Sequence, residues 1–144
     1  MRNSRVCIDA GLVVKIVVEE PYSSQARALW RTWQNEEHRI TAPPVLRYEL
    51  TSVLRKHVAR GLRTAEESRQ ALERALAFDI QYLEPPNFHR QALDMADRLG
   101  CPAAYDTHYL VLAEYLACEF WTADERLVNA VRRELPWVRW LGEI

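Results

Sequence analysis

Glycine is scarce, four residues in 144 (Gly11, Gly61, Gly100 and Gly142), and no two are close together. A phosphate-cradling P-loop and a GxGxxG dinucleotide turn both need clustered glycines, so neither is present. GxSxG is also absent, which excludes the strained nucleophile elbow of the serine hydrolases. The four histidines, His38, His57, His89 and His108, form no HExxH and no other metal-ligand spacing. Cysteine is limited to Cys7, Cys101 and Cys118, an odd number at wide spacing without CxxC. Zinc binding and a disulfide framework are therefore not expected; buried thiols in a reducing cytoplasm are. No apolar run approaches the ~20 residues that cross a bilayer. The segment Leu12–Val18 is short, contains Lys15 and follows Asp9, and it lacks the small-residue cleavage site of a secretory signal. An excess of one charge is missing too. Nineteen Lys and Arg stand against twenty Asp and Glu, a net charge of −1, so the molecule as a whole attracts neither nucleic acid nor an anionic membrane. A polyanion partner would need a local basic patch or bound cations.

What is present is one domain's worth of chain, residues 1–144, with 49% hydrophobic residues. A chain of this size buries roughly 70% of its unfolded surface and needs no staple. Strands are predicted at 5–9, 39–42, 80–83, 119–122 and 137–141. Helices are predicted at 12–20, 23–37, 45–60, 64–78, 87–99, 103–117 and 124–135. Thr64 and Glu67 fit a capping box at the head of the fourth helix, and Gly61 and Gly100 fall where helices end. The order β-α-α-β-α-α-β-α-α-β-α-β has no hairpin and argues for a parallel sheet with helices on both faces. In such sheets, ligands bind at the carboxyl ends of the strands.

Four carboxylates stand where structure alone does not obviously require them. Asp9 directly follows the apolar strand Val6-Cys7-Ile8. Asp124 follows Phe120-Trp121-Thr122 by two residues and opens a helix. Asp106 shares a helical stripe with Tyr109, Leu110 and Ala113, and Glu49 lies within the stripe of Leu46, Leu50, Val53 and Leu54. Each has an ordinary reading when taken singly: Asp124 as a helix N-cap, Asp106 as a complement to a helix dipole, Glu49 as a solvated acid at the stripe edge. Asp9, ending a first strand, is the hardest to dismiss. Carboxylates aimed at a buried face must pair, shift their pKa or bind a metal, and no matching set of bases lies on those stripes. An all-oxygen donor set favours Mg²⁺ or Mn²⁺ over zinc. His108, two residues past Asp106, reads as a surface histidine. His57 reads as a packed histidine that could approach a substrate, and Trp30 and Trp33 as a packed helix face.

The segment Val6-Cys7-Ile8-Asp9-Ala10 resembles the opening strand of PIN-domain ribonucleases, and Pro44-Val45-Leu46-Arg47-Tyr48-Glu49-Leu50 is similar to the helix that carries their second acid. The block AYDTHYLVLAE at 104–114, followed by WTADERL at 121–127, resembles the VapC toxins of toxin–antitoxin pairs. The resemblance extends over nearly the whole chain. It implies a PIN-like three-layer α/β/α sandwich with a five-stranded parallel sheet, and an Mg²⁺- or Mn²⁺-dependent endoribonuclease. It also implies a homodimer and a cognate VapB-like antitoxin that occludes the site. Asp9, Glu49, Asp106 and Asp124 match the family's acids, and Thr122 matches the frequent hydroxyl companion of the last one. One position departs: Gly11 stands where many relatives have Ser or Thr, so a hydroxyl beside Asp9 is missing.

On this reading Asp9 and Asp106 hold the principal ion. Glu49 orients or deprotonates the attacking water, and Asp124 completes the shell or holds a second ion. Residues 45–74 carry seven bases (Arg47, Arg55, Lys56, Arg60, Arg63, Arg69 and Arg74) against four acids, a local excess that could grip RNA phosphates. Arg47, Arg55 and Lys56 are the expected RNA contacts; a solvated helix face with i,i+4 pairs is the alternative. The helices around Trp30, Trp33 and Leu54 are expected to offer apolar grooves to a partner helix. Two other functions remain open at this point: a PIN-like nuclease outside a toxin pair, and a catalytically silent interaction domain.

Overall fold

The computed structural model describes residues 4–101 and 104–144. Five strands form one sheet: β1 (Arg5–Ile8), β2 (Arg39–Ala42), β3 (Ile80–Tyr82), β4 (Glu119–Thr122) and β5 (Val138–Trp140). Every pairing is parallel and the order is β3-β2-β1-β4-β5. Among the described residues seven α-helices join them: α1 (Ala10–Val17), α2 (Ser23–Asn35), α3 (Val45–Ala59), α4 (Ala65–Leu76), α5 (Phe88–Leu99), α6 (Tyr105–Leu116) and α7 (Glu125–Val131). The element order is the one that the alternation of apolar segments and turn residues predicts.

The chain starts at the central strand, steps outward through β2 to β3, then returns across β1 to β4 and β5. Right-handed crossovers place α1–α4 on one face and α5–α7 on the other, which makes the three layers. The two directions of travel diverge between β1 and β4, and that switch point at the carboxyl edge is where a parallel sheet opens a crevice. β1 is buried from Val6 to Ile8, and α1 buries Ala10, Leu12, Val13, Val14 and Val17. A helix apolar nearly all round belongs to the interior. Trp33 and Leu54, 5% and 2% exposed, lie in the same core, and Trp30 packs on Phe78 with ring centroids 4.7 Å apart. The apolar groove expected around Trp30, Trp33 and Leu54 is therefore not open, because two of its three members are spent on the core.

Some boundaries move for local reasons. α1 begins two residues earlier than expected because the Asp9 carboxylate caps it, accepting from Leu12 N at 2.9 Å. The capping box of α4 forms as expected: Glu67 N donates to Thr64 Oγ1 and Thr64 N donates to Glu67 Oε1. α7 stops at Val131, four residues short of Leu135; the chain goes on in turns, with Leu135 N donating to Val131 O, and Pro136 restricts the conformation of Leu135. The expected start of α6 at Ala103 lies outside the described residues. Cys7, Cys101 and Cys118 are free thiols; Cys7 and Cys118 are buried, and burial pushes Cys7 well up and Cys118 up to about 11, which disfavours the reactive thiolate at both.

Candidate active site

The β1–β4 register pairs Ile8 with Trp121, which sets Asp9 beside Thr122 at the carboxyl edge. Thr122 Oγ1 donates to Asp9 Oδ2 at 2.5 Å and accepts from Asp124 N at 2.9 Å. One hydroxyl thus ties together the two acids that follow β1 and β4. Both acids are also helix caps, Asp9 of α1 and Asp124 of α7 (Leu127 N to Asp124 Oδ1, 3.2 Å). The N-cap reading of Asp124 and its position at the switch point therefore hold together. From the α3 side Glu49 reaches Tyr109 of α6, whose hydroxyl donates to Glu49 Oε1 at 2.5 Å. Tyr109 is buried and stacks on Phe120 of β4.

Burial pushes the Asp9 carboxyl up to about 6, against the lowering effect of its bonds from Thr122 and Leu12, and the charge of Glu49 adds to the rise. Glu49 is raised by burial and by Asp106, and Asp106 is raised by burial and by Asp124. These couplings link the four acids in sequence: Asp9 to Glu49, Glu49 to Asp106, Asp106 to Asp124. Among the described residues no Lys, Arg or His forms an ion pair with any of them. The structure differs from expectation in depth. Asp106, in the first turn of α6, and Asp124, the N-cap of α7, are more open to solvent than Asp9 and Glu49, although the Asp106 carboxyl still loses enough hydration to be raised.

Among the described residues, no group of three or more His, Cys, Asp or Glu side chains stands together as a ready-made metal site. The donor chemistry nevertheless fits a hard divalent ion: all oxygen, mutually repelling and without basic partners. Mg²⁺ keeps several waters and takes only one or two carboxylates plus substrate phosphate, so it does not require a closed protein cage. Gly11 packs against the same corner. A Cβ there would lie 3.3 Å from the Ala123 Cβ and 3.7 Å from Asp9 Oδ1, so a side chain at this position would touch the first acid.

A groove of about 620 Å³ runs along α3 from the site, lined by Tyr48, Glu49, Ser52, Val53, Lys56 and Tyr105. Arg55 and Lys56 are exposed, with no ion pair among the described residues. Arg47 is exposed as well and lies over the Tyr82 ring at 4.2 Å. Three other members of the basic stretch are engaged as well. Arg63 donates to Glu19 O, Arg74 to Val17 O, and Arg69 pairs with Glu66. His57 is buried, its Nδ1 accepting from Arg63 Nε at 3.3 Å, as a packed histidine. Tyr109 is the site residue that the sequence reading left in the core stripe. A tyrosine within an otherwise apolar stripe needs a partner for its hydroxyl, and that requirement was the available signal.

The PIN domain family model matches residues 6–133. No curated protein matches the chain. Among solved structures, the chain is similar to PAE2754 from Pyrobaculum aerophilum, with a TM-score of 0.71 and 18% identity, over 96% of this chain and 92% of that one. That likeness is one of fold.

Proposed function

The chain belongs to the PIN domain family, and from that premise we propose that it is a divalent-metal-dependent endoribonuclease acting as the toxin of a toxin–antitoxin pair. The observation that supports this reading is the set of four carboxylates, from four separate segments, at the switch point: Asp9, Glu49 and Asp106 have raised pKa values, each in part through a neighbouring acid of the set, and among the described residues none of the four has a basic partner. Its more buried members, Asp9 above all, weaken the fold, because uncompensated charge is costly where water is excluded. A bound cation accounts for its presence.

Asp9 and Asp106 would hold the principal ion, with Asp124 and Glu49 completing the set. Mg²⁺ or Mn²⁺ bound there supplies charge neutralisation of the phosphate and a coordinated water of lowered pKa. The chain's own groups do the positioning. Thr122 holds the Asp9 carboxylate in one orientation and, through Asp124 N, fixes the start of α7 beside it. Tyr109 holds Glu49 Oε1, so that the other oxygen is turned to accept a proton from the attacking water. Attack by water on the phosphate, with departure of the ribose 3′-oxygen, leaves a 5′-phosphate and a 3′-hydroxyl. Lys56, which lines the groove, and Arg55, exposed on the same helix, neutralise flanking phosphates. The toxin role is drawn from the AYDTHYLVLAE and WTADERL motifs. They imply a homodimer and a VapB-like antitoxin, one of whose arginines could neutralise the acid cluster in place of a metal.

The test is cleavage of structured RNA by the purified protein with Mg²⁺, with and without EDTA. EDTA is expected to abolish cleavage, and Asp9→Asn and Asp106→Asn to lower its rate by at least ~100-fold while the fold persists. Full activity of both variants, in protein free of contaminating nuclease, would refute the assignment. Sequencing RNA 5′ ends after brief induction in cells identifies the target, and growth rescue by a co-expressed upstream reading frame tests the toxin role.

A further inference from the structure

The groove beside Glu49 continues into a second hollow of about 300 Å³, and the two meet at Val45, Tyr48 and Tyr105. Tyr48 precedes Glu49 in the chain and Tyr105 precedes Asp106, so each acid has an aromatic neighbour on the same helix. Both rings face solvent, 74% and 61% exposed. A ring left this exposed contributes little to folding, and two such rings lining one concavity mark a contact surface. Pro44 and Phe88 add apolar surface to the hollow.

The polar edge is built from two histidines. His108 Nδ1 lies 2.7 Å from Ala104 O, and His89 Nδ1 lies 2.9 Å from His108 Nε2. A carbonyl only accepts, so His108 carries its proton on Nδ1. With both rings neutral, His108 Nε2 is then the acceptor and His89 Nδ1 the donor. That order leaves His89 Nε2 without a proton, an acceptor at the rim of the hollow. Phe88 meets His108 edge-on at 4.9 Å and holds the pair against α5.

We propose that Tyr48 and Tyr105 form a base-stacking subsite in which one nucleobase of single-stranded RNA, flanking the scissile phosphate, lies against the rings and offers its N–H edge to His89. The proposal rests on the nuclease reading above and adds to it a preference for an unpaired base. Its parts match what single-strand recognition uses: aromatic faces, which take any base, and a hydrogen-bonding edge, which discriminates. Lys56 in the adjoining groove supplies a cation for the backbone, whereas Glu84 lines the hollow itself and disfavours a phosphate there, so a strand would set its base in the hollow and its backbone in the groove.

The test uses a single-stranded RNA oligonucleotide carrying 2-aminopurine at each position in turn, bound in EDTA so that no cleavage occurs. The wild type is expected to quench the probe at one position beside the cut site. Tyr48→Ala and Tyr105→Ala are each expected to lose that quench and to bind about tenfold more weakly, while Tyr48→Phe and Tyr105→Phe retain both. Because the rings are exposed, unchanged melting curves will show that all four variants fold. A wild type that binds and cleaves RNA without a position-specific quench overturns the subsite alone. So do alanine variants with unaltered quench and affinity, including the case in which they lose only a co-purifying protein, which would assign the hollow to protein contact. A wild type that neither binds nor cleaves RNA overturns the nuclease reading together with the subsite.

Discussion

Asp9 shows what a site residue does to the fold that carries it. Its carboxyl titrates at about 6 instead of 3.8 because burial disfavours the charge. Between about pH 4 and pH 6 the native chain therefore holds a proton that the unfolded chain has released. Stability falls as pH rises through that window and is level above it, a loss of at most about 3 kcal/mol. Asp9→Asn keeps an oxygen to accept from Leu12 N and removes the charge. In EDTA the variant is expected to melt several degrees above the wild type at pH 8 and to converge with it below pH 4; a lower melting temperature at pH 8 would show that the charge is compensated. Tyr109 gives a second prediction. Tyr109→Phe keeps the stacking on Phe120 and loses the bond to Glu49, at a cost of about 1–2 kcal/mol. Since that bond lowers the Glu49 pKa, Glu49 should titrate at higher pH in the variant, which carboxyl-carbon NMR can follow. An unchanged Glu49 titration would mean that the hydroxyl does not hold it. Neither effect is legible from the sequence, which places Tyr109 and Glu49 on their helices and leaves open which groups meet across the sheet edge.

Among the elements, α1 explains why the basic stretch of 45–74 is weaker than its charge count suggests. This buried helix of eight residues leaves its last carbonyls without partners inside the helix, and those of Ile16, Val17 and Val18 are partly covered. Arg27 donates to Ile16 O and Val18 O, Arg63 to Glu19 O, and Arg74 to Val17 O at 2.5 Å. Cations at a helix C-terminus also interact favourably with its dipole. Arg63 and Arg74 thus serve the fold. Arg74→Ala is expected to destabilise the protein by about 1–3 kcal/mol, measured by urea denaturation, whereas Arg55→Ala is near neutral; equal stability of the two would contradict this division. The periodicity of α3 and α4 told which faces are apolar. It did not tell where the long arginine side chains go, because an exposed-face arginine can reach a neighbouring helix end that only the packed structure brings near.

For the whole molecule, a net charge of −1 means that RNA affinity depends on a few local cations. Charge reversal at Arg55 and Lys56 together is expected to weaken RNA binding for every sequence. It should also reduce the slope of log affinity against log salt by about 1.4, or ~0.7 per lost phosphate contact on a single strand. An unchanged slope would remove these residues from the RNA path. The same variant should lower the melting temperature only slightly: neither side chain makes an ion pair among the described residues, but Lys56 stands in the last turn of α3, where an acid is disfavoured by the helix dipole.

The element order, the parallel sheet and the four acids with Thr122 were set by the amino-acid sequence, because strand and helix periodicity, punctuating turns and residue type are local properties of a chain. Folding decided the rest. It made Thr122 the link between Asp9 and Asp124, gave Glu49 its tyrosine, left Asp106 and Asp124 at the open rim, and turned two arginines from the surface to a helix end. These are contacts between segments up to 113 residues apart, and their partners are fixed by strand register and helix packing, which no local pattern encodes.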